Sequence, residues 1–186
     1  MTRIIGGSAK GRPLRTPPGD STRPTSDRVR EALFSMLTSE FGNLNGLAVL
    51  DLYAGSGAVG LEALSRGAAS AVLVEQHRAA AGVCRANAEA TGLAAQVRQQ
   101  SVSSYLAGEG ERFDVVFLDP PYDVSSAAIT DVLAALVDRL TPNALIVVER
   151  SARGDRPVVP EGLVAVGERR YGETVLILLE PSSTSL

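Results

Sequence analysis

The sequence predicts one α/β domain: a mostly parallel sheet of seven strands, helices on both faces, and a C-terminal antiparallel hairpin. Three observations predict it. Short apolar runs alternate with stretches of helical spacing from Leu47 to Val148, the pattern of a buried parallel sheet. A glycine-rich turn joins the first apolar run to its helix. The last two runs, over residues 163–169 and 174–179, flank Tyr171-Gly172-Glu173, which reads as a hairpin.

In chain order, Arg3-Ile4-Ile5, Gly6-Gly7 and Gly11-Arg12-Pro13-Leu14 read as a glycine-punctuated hairpin or extended arm. Pro17, Pro18, Gly19 and Pro24 make residues 16–24 a linker. A helix then starts at Thr25 or Ser26 as N-cap, with Asp27 favouring its dipole. Val29, Leu33, Met36, Leu37 and Phe41 form its apolar face, and Gly42 closes it. Strands follow over 48–52, 71–74, 95–99, 115–118 and 145–148. Helices fall over 61–64, 77–91 and 129–140. The expected division is a basic arm or hairpin over 1–24, an α/β domain over 25–181 and a frayed tail over 182–186.

The composition narrows the function. At 186 residues the chain suits a single core. Cys84 is the one cysteine and His77 the one histidine, which leaves no disulfide framework, no cysteine-cluster zinc site and no multi-histidine metal site. No stretch reaches the roughly 20 apolar residues of a membrane span, so a cytoplasmic protein without membrane or metal is expected. Net charge is -3, yet residues 1–30 hold seven basic residues against two acidic ones. Arg3, Lys10, Arg12, Arg15, Arg23, Arg28 and Arg30 are the candidate phosphate contacts. The arm is expected to be mobile until RNA orders it. The rival expectation packs it on the sheet through Ile4, Ile5 and Leu14.

Gly55-Ser56-Gly57-Ala58-Val59-Gly60 fits G-x-G-x-x-G between a strand and a helix. Glu75 ends the next strand, where a carboxylate accepts ribose hydroxyls. NAD fits this much equally well. Asp51, before the glycines, suits a ligand with an ammonium group and sits poorly beside a pyrophosphate. Asp51-Leu52-Tyr53-Ala54-Gly55-Ser56-Gly57 resembles the first motif of class I S-adenosylmethionine-dependent methyltransferases, whose sheet is Rossmann-like. The resemblance implies S-adenosyl-L-methionine as cofactor, held by Asp51, Tyr53, Ala54, Gly55, Gly57 and Glu75. Ser101 stands in the stretch that follows the third strand, where that family carries a polar residue near the adenine.

Asp119-Pro120-Pro121-Tyr122 follows the strongest strand, and its prolines end the ladder stiffly at the sheet's carboxyl edge. A nucleobase amine is a poor nucleophile because its lone pair is delocalised into the ring. Two acceptors, the Asp119 carboxylate and the Pro120 carbonyl, would bind its hydrogens and turn the lone pair outward, and Tyr122 would stack on the base. The tetrapeptide, with Pro121 completing it, resembles the signature of amino-methyltransferases acting on adenine N6, cytosine N4 or guanine N2. Arg3-Ile4-Ile5-Gly6-Gly7, Lys10-Gly11-Arg12 and the run from Arg23 to Phe34 resemble the RsmD-type family of bacterial 16S rRNA guanine-N2 methyltransferases. That resemblance implies 16S rRNA, within the small ribosomal subunit or an assembly intermediate, as partner. A DNA amino-methyltransferase shares the tetrapeptide but needs a larger target-recognition region. A dehydrogenase would not need Asp119-Pro120-Pro121-Tyr122, and a non-catalytic RNA binder would not need the glycine turn. His77 reads as a surface residue, Cys84 as core packing and Tyr171 as turn structure.

Overall fold

The computed structural model describes residues 2–19 and 26–183. A two-residue ladder, β1 (Thr2–Arg3) against β2 (Pro13–Leu14), comes first. Helix α1 (Asp27–Phe41) follows, its N-terminus capped by the Ser26 hydroxyl, which accepts from Val29 N–H at 3.2 Å. Then come β3 (Ala48–Leu52), α2 (Ala58–Ser65), β4 (Ser70–Val74), α3 (Arg78–Thr91), β5 (Gln96–Arg98) and α4 (Val102–Ala107). The chain ends through β6 (Phe113–Leu118), α5 (Ser126–Leu136), β7 (Leu140–Ser151), β8 (Leu163–Tyr171) and β9 (Thr174–Pro181).

The strands line up as β5-β4-β3-β6-β7-β9-β8. The first five are parallel, and β9 enters antiparallel between β7 and β8. Strand residues point alternately to two cores, as a pleat requires. Val49, Leu73, Phe117 and Val147 meet α1, α2 and α3 on one face. Leu50, Val72, Val116 and Ile146 meet α4 and α5 on the other. The parallel strands with helices on both faces, closed by an antiparallel hairpin, make the Rossmann-like sheet the sequence predicts.

Four local expectations change. Helix α2 begins at Ala58, directly on the glycine turn, because Gly57 serves as its left-handed N-cap. Helix α4 is an addition; six residues over 102–107 are too short for periodicity to declare. The helix expected over 129–140 ends at Leu136, and after a 3-10 turn the chain re-enters the sheet at Leu140. Strand β7 therefore absorbs Pro142 in a register shift opposite Phe113 and Val115, where the ladder is already interrupted.

The mobile arm is the largest correction. Ile4 is 0% and Leu14 3% exposed, both inside the core shared with α1 and α2. Backbone N–H groups of Ile5 and Gly6 donate to the Glu62 carboxylate at 2.8 Å, and Ala9 N–H donates to the Ser65 hydroxyl at 2.9 Å. Burial plus these bonds outweighs the glycines' freedom, so residues 2–14 are part of the domain. The expected boundary at 24/25 falls outside the described residues. Pro181 closes β9, and Ser182 N–H donates to the Gly162 carbonyl at 2.9 Å, so the tail is tied at its start. Among the described residues, no helix is long and apolar enough to cross a membrane.

Candidate active site

Strands β3 and β6 are neighbours with Leu52 opposite Leu118, so Tyr53 and Asp119 leave the sheet side by side at its carboxyl edge. The glycine turn and the Asp119–Tyr122 turn thus flank one crevice, where open parallel sheets bind ligands.

The glycine turn is held from below. Ala54 N–H donates to the Val74 carbonyl at 3.0 Å, and Gly57 N–H to the Ala54 carbonyl at 2.8 Å. Helix α3 grips the next two carbonyls: Cys84 Sγ donates to Gly55 O at 3.0 Å and Asn87 Nδ2 to Ser56 O at 2.9 Å. A trans peptide points its N–H away from its C=O, so the N–H on the far side of each gripped peptide faces away from α3. Gly57 is left-handed (φ 79°), and a Cβ there would lie 2.9 Å from Leu73 Cδ1. Gly55 (φ 58°) differs: a Cβ there would meet nothing within 4 Å, so the space over it is open to a ligand. Tyr53 also adopts positive φ (62°), a strained conformation for a non-glycine residue and one that gathers at functional sites.

Two carboxylates serve this turn. Glu75 accepts from Gly55 N–H through Oε2 at 2.9 Å and from His77 N–H through Oε1 at 2.8 Å. Each oxygen keeps a second lone pair, so the carboxylate is oriented yet still able to accept hydroxyls. Asp51 is 2% exposed and lies beneath the turn, where Oδ2 accepts from Gly60 N–H at 3.0 Å. Burial pushes its carboxyl up to about 8; the Gly60 bond opposes that rise and the charge of Glu75 adds to it. Burial likewise pushes the Cys84 thiol up, which makes it an inert packing group, as the sequence implies. Ser101 caps α4 at the end of β5, its hydroxyl accepting from Ser104 N–H at 3.2 Å. Open space over Gly55 and a fixed carboxylate on the next strand fit a nucleoside.

The second turn is built differently. Pro120 is buried, Asp119 and Pro121 are half-buried, and Tyr122 is 72% exposed. Val124 N–H closes the turn on the Pro121 carbonyl at 3.0 Å. Arg150, near the end of β7, donates from Nη2 to the Val124 carbonyl at 3.4 Å. It also lies close enough to Tyr53 to oppose the rise that burial gives that phenol.

Of the candidate phosphate contacts, Arg3, Lys10, Arg12, Arg15 and Arg28 are exposed, and Arg23 lies outside the described residues. Arg30 is a correction. It is 0% exposed, donates to the Arg3 carbonyl, and pairs with Asp27 at 3.0 Å and with Glu62 at 3.8 Å. Burial lowers its guanidinium's pKa against the pull of both carboxylates. Arg30, Leu33, Phe34 and Leu37 share the buried stripe of α1, so a charge on that stripe is the signal of a structural role. Sequence reasoning misses Glu62, Asn87 and Arg150. Glu62 is the one charged residue of a largely apolar, buried helix, which is a detectable anomaly. Nothing in the spacing marks Asn87 or Arg150.

The chain has known relatives in both sequence and fold. The family model described as conserved hypothetical protein 95 matches residues 2–180. The chain is 40% identical over 181 residues to ribosomal RNA small subunit methyltransferase D of Escherichia coli K12, covering 96% of this chain and 89% of that one. It is 36% identical over 176 residues to the Haemophilus influenzae protein of the same name, covering 91% and 89%. A hypothetical protein of known structure from a Thermus species superposes with a TM-score of 0.83 at 38% identity, covering 97% and 99% of the two chains.

Proposed function

The chain belongs to the RsmD family of methyltransferases, and from that premise we propose that it methylates the exocyclic N2 amine of a guanine in 16S rRNA. The family resemblance further implies the guanine numbered 966 in that RNA, presented by the small ribosomal subunit or an assembly intermediate in the cytoplasm. One observation carries the reading: Asp119-Pro120-Pro121-Tyr122 leaves β6 beside the glycine turn that leaves β3. An amine-orienting group and a cofactor-holding turn then face one crevice.

S-adenosyl-L-methionine, when bound, supplies an electrophilic methyl on a sulfonium. Glu75 would hold the ribose hydroxyls, the open face of Gly55 would admit the ligand's close approach, and Tyr53, Ala54 and Gly57 would shape the floor. Asp51 would bias the turn toward a cation from beneath, and Ser101 would border the adenine. The Asp119 carboxylate and the Pro120 carbonyl would accept the amine's two hydrogens and turn its lone pair toward the methyl carbon. The proton that the amine sheds on transfer would pass to the Asp119 carboxylate or to water. Tyr122 would stack on the unstacked base. Orientation and local electrostatics supply the rate, with no covalent enzyme intermediate.

Labelled S-adenosyl-L-methionine incubated with the protein and small subunits, naked 16S rRNA or duplex DNA tests the proposal. Label in guanine N2 of the rRNA is expected. Label in DNA, or in another amine, overturns the assignment.

A further inference from the structure

The hairpin that carries Arg3, Lys10 and Arg12 is anchored at three places, the first being the Arg3 carbonyl, which accepts from Arg30 of α1. Its turn sits on Glu62 and Ser65 of α2, and its exit is held by one side chain of α3, Asn87. Asn87 Oδ1 accepts from Arg15 N–H at 2.8 Å. Its Nδ2 donates one hydrogen to the Arg15 carbonyl and the other to the Ser56 carbonyl, both at 2.9 Å. Among the described residues, no other side chain hydrogen-bonds both the hairpin's exit and the glycine turn.

The chemistry of the amide makes this more than an anchor. Both donor hydrogens sit on one planar nitrogen at a fixed angle, so a rotation that follows one carbonyl misaligns the other. Asn87 is 1% exposed, so water does not replace a bond that is lost. The position of the Ser56 peptide, which forms the cofactor crevice, therefore depends on the position of the Arg15 peptide. Cys84, one turn earlier on α3, holds Gly55 alone and does not reach the hairpin.

We propose that Asn87 is a positioning residue that makes cofactor binding and RNA binding cooperative, by tying the glycine turn to the basic hairpin. The proposal rests on the assignment of those two surfaces made above. A ligand seated on the already formed turn damps the residual motion of the Ser56 carbonyl, and through the amide that of residues 12–15, which meet the phosphates. By linkage, RNA must tighten the cofactor by the same factor.

The first test uses the intact protein alone. Adding S-adenosylhomocysteine should slow hydrogen exchange at the Ile4 and Arg12 amides as well as across residues 54–61. Slowing confined to the glycine turn overturns the proposal, whatever the RNA specificity proves to be. The second test measures affinity for 16S rRNA with and without S-adenosylhomocysteine. The wild type should show at least about fivefold tightening, the lower end of ordinary coupling. Asn87→Asp keeps the acceptor for Arg15 N–H and loses both donated bonds, and its coupling factor should fall to about one. Asn87→Ser, uncharged and smaller, serves if the buried aspartate prevents folding. Cys84→Ala should alter cofactor affinity and retain the coupling factor. A folded Asn87 variant with wild-type coupling overturns the proposal; absence of any RNA binding instead strikes the function proposed above.

Discussion

Two turns leave adjacent strands at one edge of the sheet, and they are made in opposite ways. In the glycine turn, backbone groups of Ala54, Gly55, Ser56 and Gly57 find partners inside the protein, and Asp51 and Glu75 are buried beneath and beside it. In the Asp119–Tyr122 turn, two prolines fix the backbone covalently, a hydrogen bond from Val124 closes it, and the aromatic ring stands in solvent. Under the proposed function, the difference follows from what each side would receive. A small diffusing cofactor gains from a site already in place, since every group ordered on binding would cost affinity. A base arrives attached to a large RNA that brings its own contacts, and only its last few ångströms need guidance. Rigidity from packing serves the first, and rigidity from proline serves the second.

The sharpest way to break this comparison is Asp119→Ala. Loss of the carboxylate proposed to orient the amine should lower turnover by at least about a hundredfold, the usual cost of misplacing a reacting group. Cofactor affinity by calorimetry should stay near wild type. A variant that turns over normally, or that loses cofactor binding instead, would show that the two turns do not divide the work. Glu75→Ala acts on the other side. It removes the acceptor for Gly55 and His77 N–H together with the proposed ribose contact. Cofactor affinity should fall by about 1.5–3 kcal/mol, with a lower thermal midpoint as well. Unchanged affinity would place the ribose elsewhere.

Tyr122→Ala has a smaller expected effect and a cleaner signature. Lost stacking should reduce RNA engagement and turnover by about 1–3 kcal/mol. The thermal midpoint should hold, because the ring is 72% exposed and packs against little. Tyr122→Phe should be much milder. Equal damage from Phe and Ala would mean that the hydroxyl matters and stacking does not.

The same contrast explains what is legible in the sequence. The glycine turn and the proline turn are readable because backbone requirements restrict which residues can stand there. The alternation from Leu47 to Val148 declares the parallel sheet for the same reason. Side-chain links across the fold are not readable. Asn87 lies 31 residues from Ser56 and 72 from Arg15, so no local spacing shows the bond. The seven basic residues of the first thirty look alike as charges, yet Arg28 faces solvent and Arg30, two residues on, faces the core. A two-residue step turns a helix by about 200°, and only the companion stripe of Leu33, Phe34 and Leu37 separates them. Composition misjudges the hairpin: its glycines and arginines outnumber its anchors, but Ile4 and Leu14 are buried and decide the matter.

The last effect is read in pH and concerns the pressure that buried packing puts on the glycine turn. Asp51 has a folded-state value of about 8, raised by burial. Below about pH 4 its carboxyl is protonated in both folded and unfolded chains. Between about pH 4 and 8 the unfolded chain releases that proton while the folded chain keeps it, so stability contributed by this group falls as pH rises. Above about 8 both forms are ionised and the dependence ends. Asp51→Asn mimics the neutral form and leaves an amide oxygen for Gly60 N–H, so it should fold and lose this fall. Denaturant unfolding at a series of pH values, read as the difference between wild type and variant, isolates the contribution. A cation bound at the turn favours the ionised carboxylate, so S-adenosyl-L-methionine should release a proton on binding in the same window. Calorimetry in buffers of different ionisation heat reads that release, and Asp51→Asn should abolish it. A wild type that binds without proton release would mean that Asp51 braces the turn but does not sense its ligand's charge.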